Sequence, residues 1–141
     1  MTRTGSAVWK GNLREGNGTV STESGVLRQS PYNFRSRFES EKATNPEELI
    51  AAAHAACFSM ALSAQLQTAG VTAEQIETTA KVTLEKVGDG FAITASHLVV
   101  TAKIPGGDPG IFSKAADDAK AGCPVSKVLN AKITMEAKLA G

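Results

Sequence analysis

The run Asn45-Pro46-Glu47-Glu48-Leu49-Ile50-Ala51-Ala52-Ala53-His54-Ala55-Ala56-Cys57-Phe58-Ser59-Met60-Ala61-Leu62 decides the fold of this chain. Asn45 is a good N-cap, Pro46 suits the first helical position, and Glu47 and Glu48 favour the positive end of a helix. The pattern predicts a helix that continues to Thr68 or Ala69 and stops at Gly70, about 24 residues and roughly 36 Å long. Its first half is apolar on almost every face, and a helix apolar all round is buried all round. A sheet from one small domain covers only one side. The other side needs a partner, most simply a second copy of the chain, and the alanines would let two such helices pack closely.

Toward the N-terminus, Ala7 to Leu13 and Thr19 to Thr22 read as two strands around a Gly16-Asn17-Gly18 turn, with Val26-Leu27 as a short third strand. Gly16 and Gly18 lack the Gly-Lys-Ser/Thr sequence that a phosphate loop requires. Tyr32 to Phe38 alternates as a strand would, with Tyr32, Phe34, Ser36 and Phe38 on one face and Asn33, Arg35 and Arg37 on the other. Beyond the helix, Ile76 to Val87 and Phe91 to Ile104 read as a hairpin closed by Gly88-Asp89-Gly90. Pro105-Gly106-Gly107 breaks the chain, and Asp108-Pro109 caps a helix over about Gly110 to Ala121. Cys123 as N-cap and Pro124 in the first turn open a short helix to about Asn130. Lys132 to Leu139 alternates as a last strand. Strands, long helix, hairpin, helices and strand, in that order, make an α+β fold. The 141 residues, without repeat or linker, form one domain over residues 1–141.

Charge narrows the function. The net charge is +1, with no basic stripe and no acidic tail, so neither nucleic acid nor a membrane surface is expected as partner. There is no run of 18 or more apolar residues, and Met1-Thr2-Arg3-Thr4-Gly5 leads into no apolar signal segment. A cytoplasmic location follows as the expectation. Structural disulfides are rare there, which turns attention to reduced or reactive thiols.

There are two cysteines, Cys57 and Cys123. Cys57 reads either as a small buried hydrophobe or as a nucleophile, and the second role needs a group that stabilises a thiolate, such as a guanidinium. Cys123, at a helix start, faces unpaired N–H groups that lower a thiol pKa; the competing reading is a poor N-cap. Together they suit peroxide reduction, in which one thiolate attacks the peroxide and the other condenses with the sulfenic acid. Neither His54 nor His97 has metal-ligand spacing to them. His54, one helical turn before Cys57, is either a proton partner of that thiol or a filler of a gap. Arg35 and Arg37 read as a solvated pair or as the guanidinium source, and Glu47 and Glu48 as ordinary dipole partners. Glu47 and Cys57 are ten positions apart, about 15 Å along one helix, so Glu47 can meet only the Cys57 of an antiparallel partner helix.

The block Asn45-Pro46-Glu47-Glu48-Leu49, then Ala55-Ala56-Cys57-Phe58, then Cys123-Pro124-Val125-Ser126, closely resembles the OsmC/Ohr family of thiol-dependent organic hydroperoxide peroxidases. The run Gly18 to Gly25 and Arg37-Phe38-Glu39 are similar to the OsmC branch. The resemblance implies an OsmC-like fold, an intertwined homodimer with antiparallel sheets wrapped around long central helices. By the same resemblance Cys57 is the peroxidatic and Cys123 the resolving cysteine. Arg37 is the active-site arginine and Glu47 the acid that orients it, while the family pattern leaves Arg35 without that role. No metal or prosthetic cofactor is implied, only an external thiol or dithiol reductant. Phe34, Phe38, Phe58 and Met60, or a subset, would form an apolar wall favouring alkyl hydroperoxides over hydrogen peroxide. The competing class is a non-catalytic dimer that binds an apolar ligand; a disulfide reductase would need the Cys-x-x-Cys spacing that is absent.

Overall fold

The computed structural model describes residues 1–140, which divide into two compact units, Met1–Leu49 and the residues from Ile50 onward. In the first, β1 (Gly5–Lys10), β2 (Asn17–Thr22) and β3 (Ser30–Tyr32) form an antiparallel sheet in that order. Gly18 sits where a Cβ would collide with the Val8 carbonyl and the rings of Trp9 and Tyr32, which tilt against each other at 5.4 Å. The third strand is Ser30–Tyr32 and not Val26-Leu27. Val26 lies in the connection, 85% exposed.

The segment expected as a strand over Tyr32 to Phe38 is a helix, α1 (Phe34–Phe38). A reciprocal cap is the reason. Asn33 Oδ1 accepts the Ser36 N–H at 2.9 Å, and Ser36 Oγ accepts the Asn33 N–H at 2.9 Å. The correction separates the two arginines, because positions i and i+2 diverge on a helix but share a face on a strand.

The helix α2 (Pro46–Thr68) runs unbroken over 23 residues. Asn45 Oδ1 accepts the N–H of Glu48 at 2.8 Å, and Asn45 Nδ2 donates to the Ser36 carbonyl at 2.9 Å, so one side chain starts α2 and ties α1 to it. At the other end Gly70 adopts φ +79°. There the Val71 N–H bonds the Leu66 carbonyl and the Gly70 N–H bonds that of Gln67, a Schellman stop. His54, Phe58, Leu62 and Leu66 make a buried stripe at i, i+4 spacing, whereas Ala52, Ala53, Ala56 and Met60 are exposed, Met60 at 75%. By length and composition α2 is apolar enough to cross a membrane, although only 22% of its apolar window is buried within the chain. Its polar caps and its docked stripe fit a core helix with one face uncovered.

The second unit places that stripe on a sheet of β4 (Gln75–Val87), β5 (Gly90–Lys103) and β6 (Lys132–Ala140). The β4–β5 pair is antiparallel, with Val87 opposite Gly90 across a two-residue turn in which Gly88 has φ +61°. The β5–β6 pair is parallel, which requires the crossover through α3 (Pro109–Gly122) and α4 (Pro124–Val128). On β5, Ser96, Leu98, Val100 and Ala102 point to the buried face. Asp108 caps α3 by accepting the Gly110 N–H at 2.7 Å, and Phe112, Ala115, Ala116 and Ala119 complete the core with Phe58, Leu62 and Leu66.

Candidate active site

Cys57 rides on α2, part-exposed, one position before the fully buried Phe58. Cys123 ends α3 and opens α4, with no exposed surface at all. Both are free thiols, close enough to share a hydrogen bond. Burial pushes the Cys57 thiol above its ordinary pKa, and the hydrogen bond with Cys123 adds to this, outweighing the Val125 backbone contact. Burial also works to raise Cys123. The hydrogen bond from Cys57, those from the Ser126 backbone and hydroxyl, and that from the Val125 backbone overcome it and hold Cys123 below its ordinary pKa. The Cys123 side chain makes no formed capping hydrogen bond at the start of the five-residue α4, so the expected helix-start effect is carried by neighbouring donors alone. Within this unit the two thiols are pushed in opposite directions, Cys123 down and Cys57 up. A cation brought to Cys57 would reverse that order.

His54 makes no direct hydrogen bond to Cys57 and fills a buried position instead. It is completely buried, and both ring nitrogens are taken: Nδ1 lies 2.7 Å from Ser96 Oγ and Nε2 2.8 Å from Ser126 Oγ. Burial lowers its pKa from 6.5, which keeps the ring neutral. Ser96 and Ser126 were not singled out by the sequence reading. Ser126 carried a signal, since it stands three residues after the N-cap Cys123, where a polar side chain folds back on the cap. Ser96, one residue in an alternating strand, carried none.

Arg37 and Glu47 form a closed fork in the first unit. Arg37 Nη2 donates to Glu47 Oε1 at 2.8 Å, and Nε donates to Oε1 at 3.1 Å and Oε2 at 3.3 Å. Glu47 is only 8% exposed, in the first turn of α2, where N–H groups favour a carboxylate. Ser36, hydrogen-bonded to the Thr44 carbonyl at 2.8 Å, anchors α1 so that Arg37 is held toward Glu47. Arg35 points elsewhere. Its side chain is 70% exposed and only 4.0 Å from Glu41. Phe34 and Phe38 stack at 4.8 Å, with the Arg37 guanidinium 5.4 Å above the Phe38 ring. Of the four residues expected as an apolar wall, Phe58 is ruled out, because it is fully buried in the core of the second unit. His97 lies on the opposite face of β5 from Ser96, bonded to Thr134 at 2.6 Å and Glu136 at 3.3 Å. Among the described residues no three His, Cys, Asp or Glu side chains gather as a metal-binding set.

Comparison with known proteins meets this geometry at the level of whole chains. The family described as OsmC-like protein matches residues 39–138. The peroxiredoxin OsmC of Escherichia coli K12 is 58% identical over 135 residues, which cover 96% of this chain and 94% of that protein. An organic hydroperoxide resistance protein OsmC from Legionella pneumophila superposes with a TM-score of 0.67 at 25% identity, covering 98% of this chain and 97% of that one. The organic hydroperoxide resistance protein OhrB of Bacillus subtilis gives a TM-score of 0.70 at 25% identity, over 96% of this chain and 98% of its own. The α+β architecture is that of these proteins.

Proposed function

The chain belongs to the OsmC family, and from that premise we propose that it is a cysteine-based peroxidase that reduces organic hydroperoxides, and hydrogen peroxide less well, in antioxidant defence. One observation carries the reading: the two cysteines, 66 positions apart in the sequence, come together as neighbouring, interacting free thiols. Cys57 is the attacking sulfur, because it is the one that solvent and substrate reach. Its thiolate attacks the peroxide, the O–O bond breaks, an alcohol or water leaves, and Cys57 becomes a sulfenic acid. Cys123 attacks that sulfur, closing a Cys57–Cys123 disulfide with loss of water. An external thiol or dithiol then restores both thiols.

Arg37 supplies what the thiol pair lacks. Its guanidinium stabilises the Cys57 thiolate and hydrogen-bonds the peroxide oxygen that gains charge in the transition state; Glu47 keeps the fork oriented. Since Glu47 and Cys57 are ten positions apart on one unbroken helix, about 15 Å along its axis, the fork that serves each Cys57 belongs to the partner in a homodimer. The uncovered face Ala52, Ala53, Ala56 and Met60 supports such a partner, because a long apolar helix face seldom stays open to water. Phe34 and Phe38, beside Arg37, give the alkyl part of a hydroperoxide an apolar contact. Residues 1–141 act as one peroxidase domain with no metal or prosthetic group, in the cytoplasm.

The test is direct. One equivalent of cumene hydroperoxide should remove both thiols together and lower the intact mass by about two protons. A treated sample whose thiols both still titrate would sink the proposal and favour an apolar-ligand binder.

A further inference from the structure

His54 is buried, titratable and unused by the reaction above. It joins β5 to the start of α4, with Ser96 Oγ 2.7 Å from one ring nitrogen and Ser126 Oγ 2.8 Å from the other. Ser126 is the third residue of α4, and Cys123 is that helix's N-cap. One turn of helix brings a third-position side chain back beside the cap, and the Ser126 hydroxyl lies close enough to the Cys123 sulfur to help lower that thiol's pKa. The chain of contacts therefore runs Ser96, His54, Ser126, Cys123, Cys57.

We propose that His54 is a positioning residue for disulfide closure, acting through Ser126: it aims the Ser126 hydroxyl proton at Cys123 Sγ and so holds that sulfur ready to attack Cys57. The assignment rests on the peroxidase reading. Its hydrogen-bond directions follow from valence. The attacking form of Cys123 is a thiolate, which only accepts, so toward it Ser126 must donate, and the Ser126 oxygen in turn accepts from His54 Nε2–H. A neutral ring protonated at Nε2 has a bare Nδ1, which accepts the Ser96 O–H. No buried polar side-chain atom among the described residues is left without a partner. In the closing step the Cys123 thiolate attacks the sulfenic sulfur. The S–S bond forms, the S–O bond breaks, and the hydroxide takes up the proton Cys123 had given up and departs as water. Two thiol sulfurs end oxidised at the expense of the peroxide, while His54 and Ser126 change neither redox state nor net protonation.

A histidine that only filled space would leave the sulfur chemistry alone, so the experiment reads that chemistry step by step. Ser126→Ala, His54→Gln and His54→Leu are made in the full chain. Acid-quenched samples after cumene hydroperoxide separate sulfenic acid formation from closure by mass. In a Cys57→Ser background, thiolate absorbance gives the Cys123 pKa. Losing a hydrogen bond to a charged group should slow closure about tenfold or more relative to the peroxide step and raise the Cys123 pKa by about one unit, in Ser126→Ala and His54→Leu alike. His54→Gln, whose amide can still donate to Ser126, should recover most of both effects. Closure and pKa unmoved by Ser126→Ala would overturn the proposal, even where His54→Leu fails to fold. So would His54→Gln behaving as badly as His54→Leu. Wild-type protein that forms neither sulfenic acid nor disulfide would defeat the peroxidase reading instead, and the Cys123 pKa series would still decide whether His54 acts through Ser126.

Discussion

The thiol pair and the guanidinium–carboxylate fork are built in opposite ways. Apart from the charge that the thiols share between themselves, neutral influences set their proton affinities: burial and hydrogen bonds from a helix start. The fork is all charge, a bidentate pair with Glu47 nearly buried and the Arg37 side chain 37% exposed. In the proposed reaction the thiol pair would hold the oxidised sulfur and resolve it. The fork would steady the anion that develops on the peroxide. The division of labour predicts that damage to each cluster shows up in a different step.

The largest effect belongs to the nucleophile. Cys57→Ser should abolish turnover, whereas Cys123→Ser should react once and stall as a sulfenic acid open to over-oxidation. The opposite pattern in single-turnover mass measurements would mean that Cys123, favoured by its own hydrogen bonds, is the attacking sulfur.

Next comes the fork. Arg37→Ala should slow Cys57 oxidation by about 10²–10³, as loss of an anion-stabilising donor does in comparable sites. Arg35→Ala, on a solvated side chain, should change it little. Arg37→Lys should restore only part, because an ammonium cannot reproduce the planar fork, and Glu47→Gln should be a milder version of the arginine loss. The second-order rate constant against pH for each variant is the measurement. Equal small effects from the two arginines would separate the fork from the chemistry.

A smaller effect should come from the uncovered face of α2. Light scattering should give twice the 14.6 kDa of one chain, and Ala56→Glu should loosen that dimer and make activity fall on dilution. A stable, fully active 14.6 kDa species would break the composite-site proposal.

The smallest effect is on stability. His54 has its folded pKa lowered by burial, so the unfolded chain binds the extra proton first. The contribution is fully present above the ordinary 6.5 and is lost as pH falls below it toward the lower folded value. Melting temperature should therefore drop below that pH in the wild type and more gently in His54→Gln. Identical slopes would place the acid-sensitive group elsewhere.

What the sequence revealed depended on how local each signal was. Asn45, Pro46 and Gly70 marked the ends of α2 because caps act through their nearest neighbours. Gly88-Asp89 marked the hairpin for the same reason. Tyr32 to Phe38 misled, because alternating aromatics and arginines suit a strand while Asn33 and Ser36 cap a helix, and over five residues the cap decided. The parallel pairing of β6 with β5 had no local mark, being a property of the crossover. Cys57, Cys123, Arg37 and Glu47 were legible as a motif. Ser96 was not, since only the packing of β5 against α2 gives that hydroxyl a partner.

Cys57 remains part-exposed while Cys123 has no accessible surface, and this asymmetry sets the course of recycling. In the proposed cycle a reductant approaching the disulfide would meet the Cys57 sulfur first, so the mixed disulfide would form there and Cys123 would be expelled as the leaving group. The hydrogen bonds that lower the Cys123 pKa make it the better group to expel, since exchange is faster when a more acidic thiol departs. The helix start that arms Cys123 for closure would thus also ease its release, and the same few donors would serve both halves of the cycle.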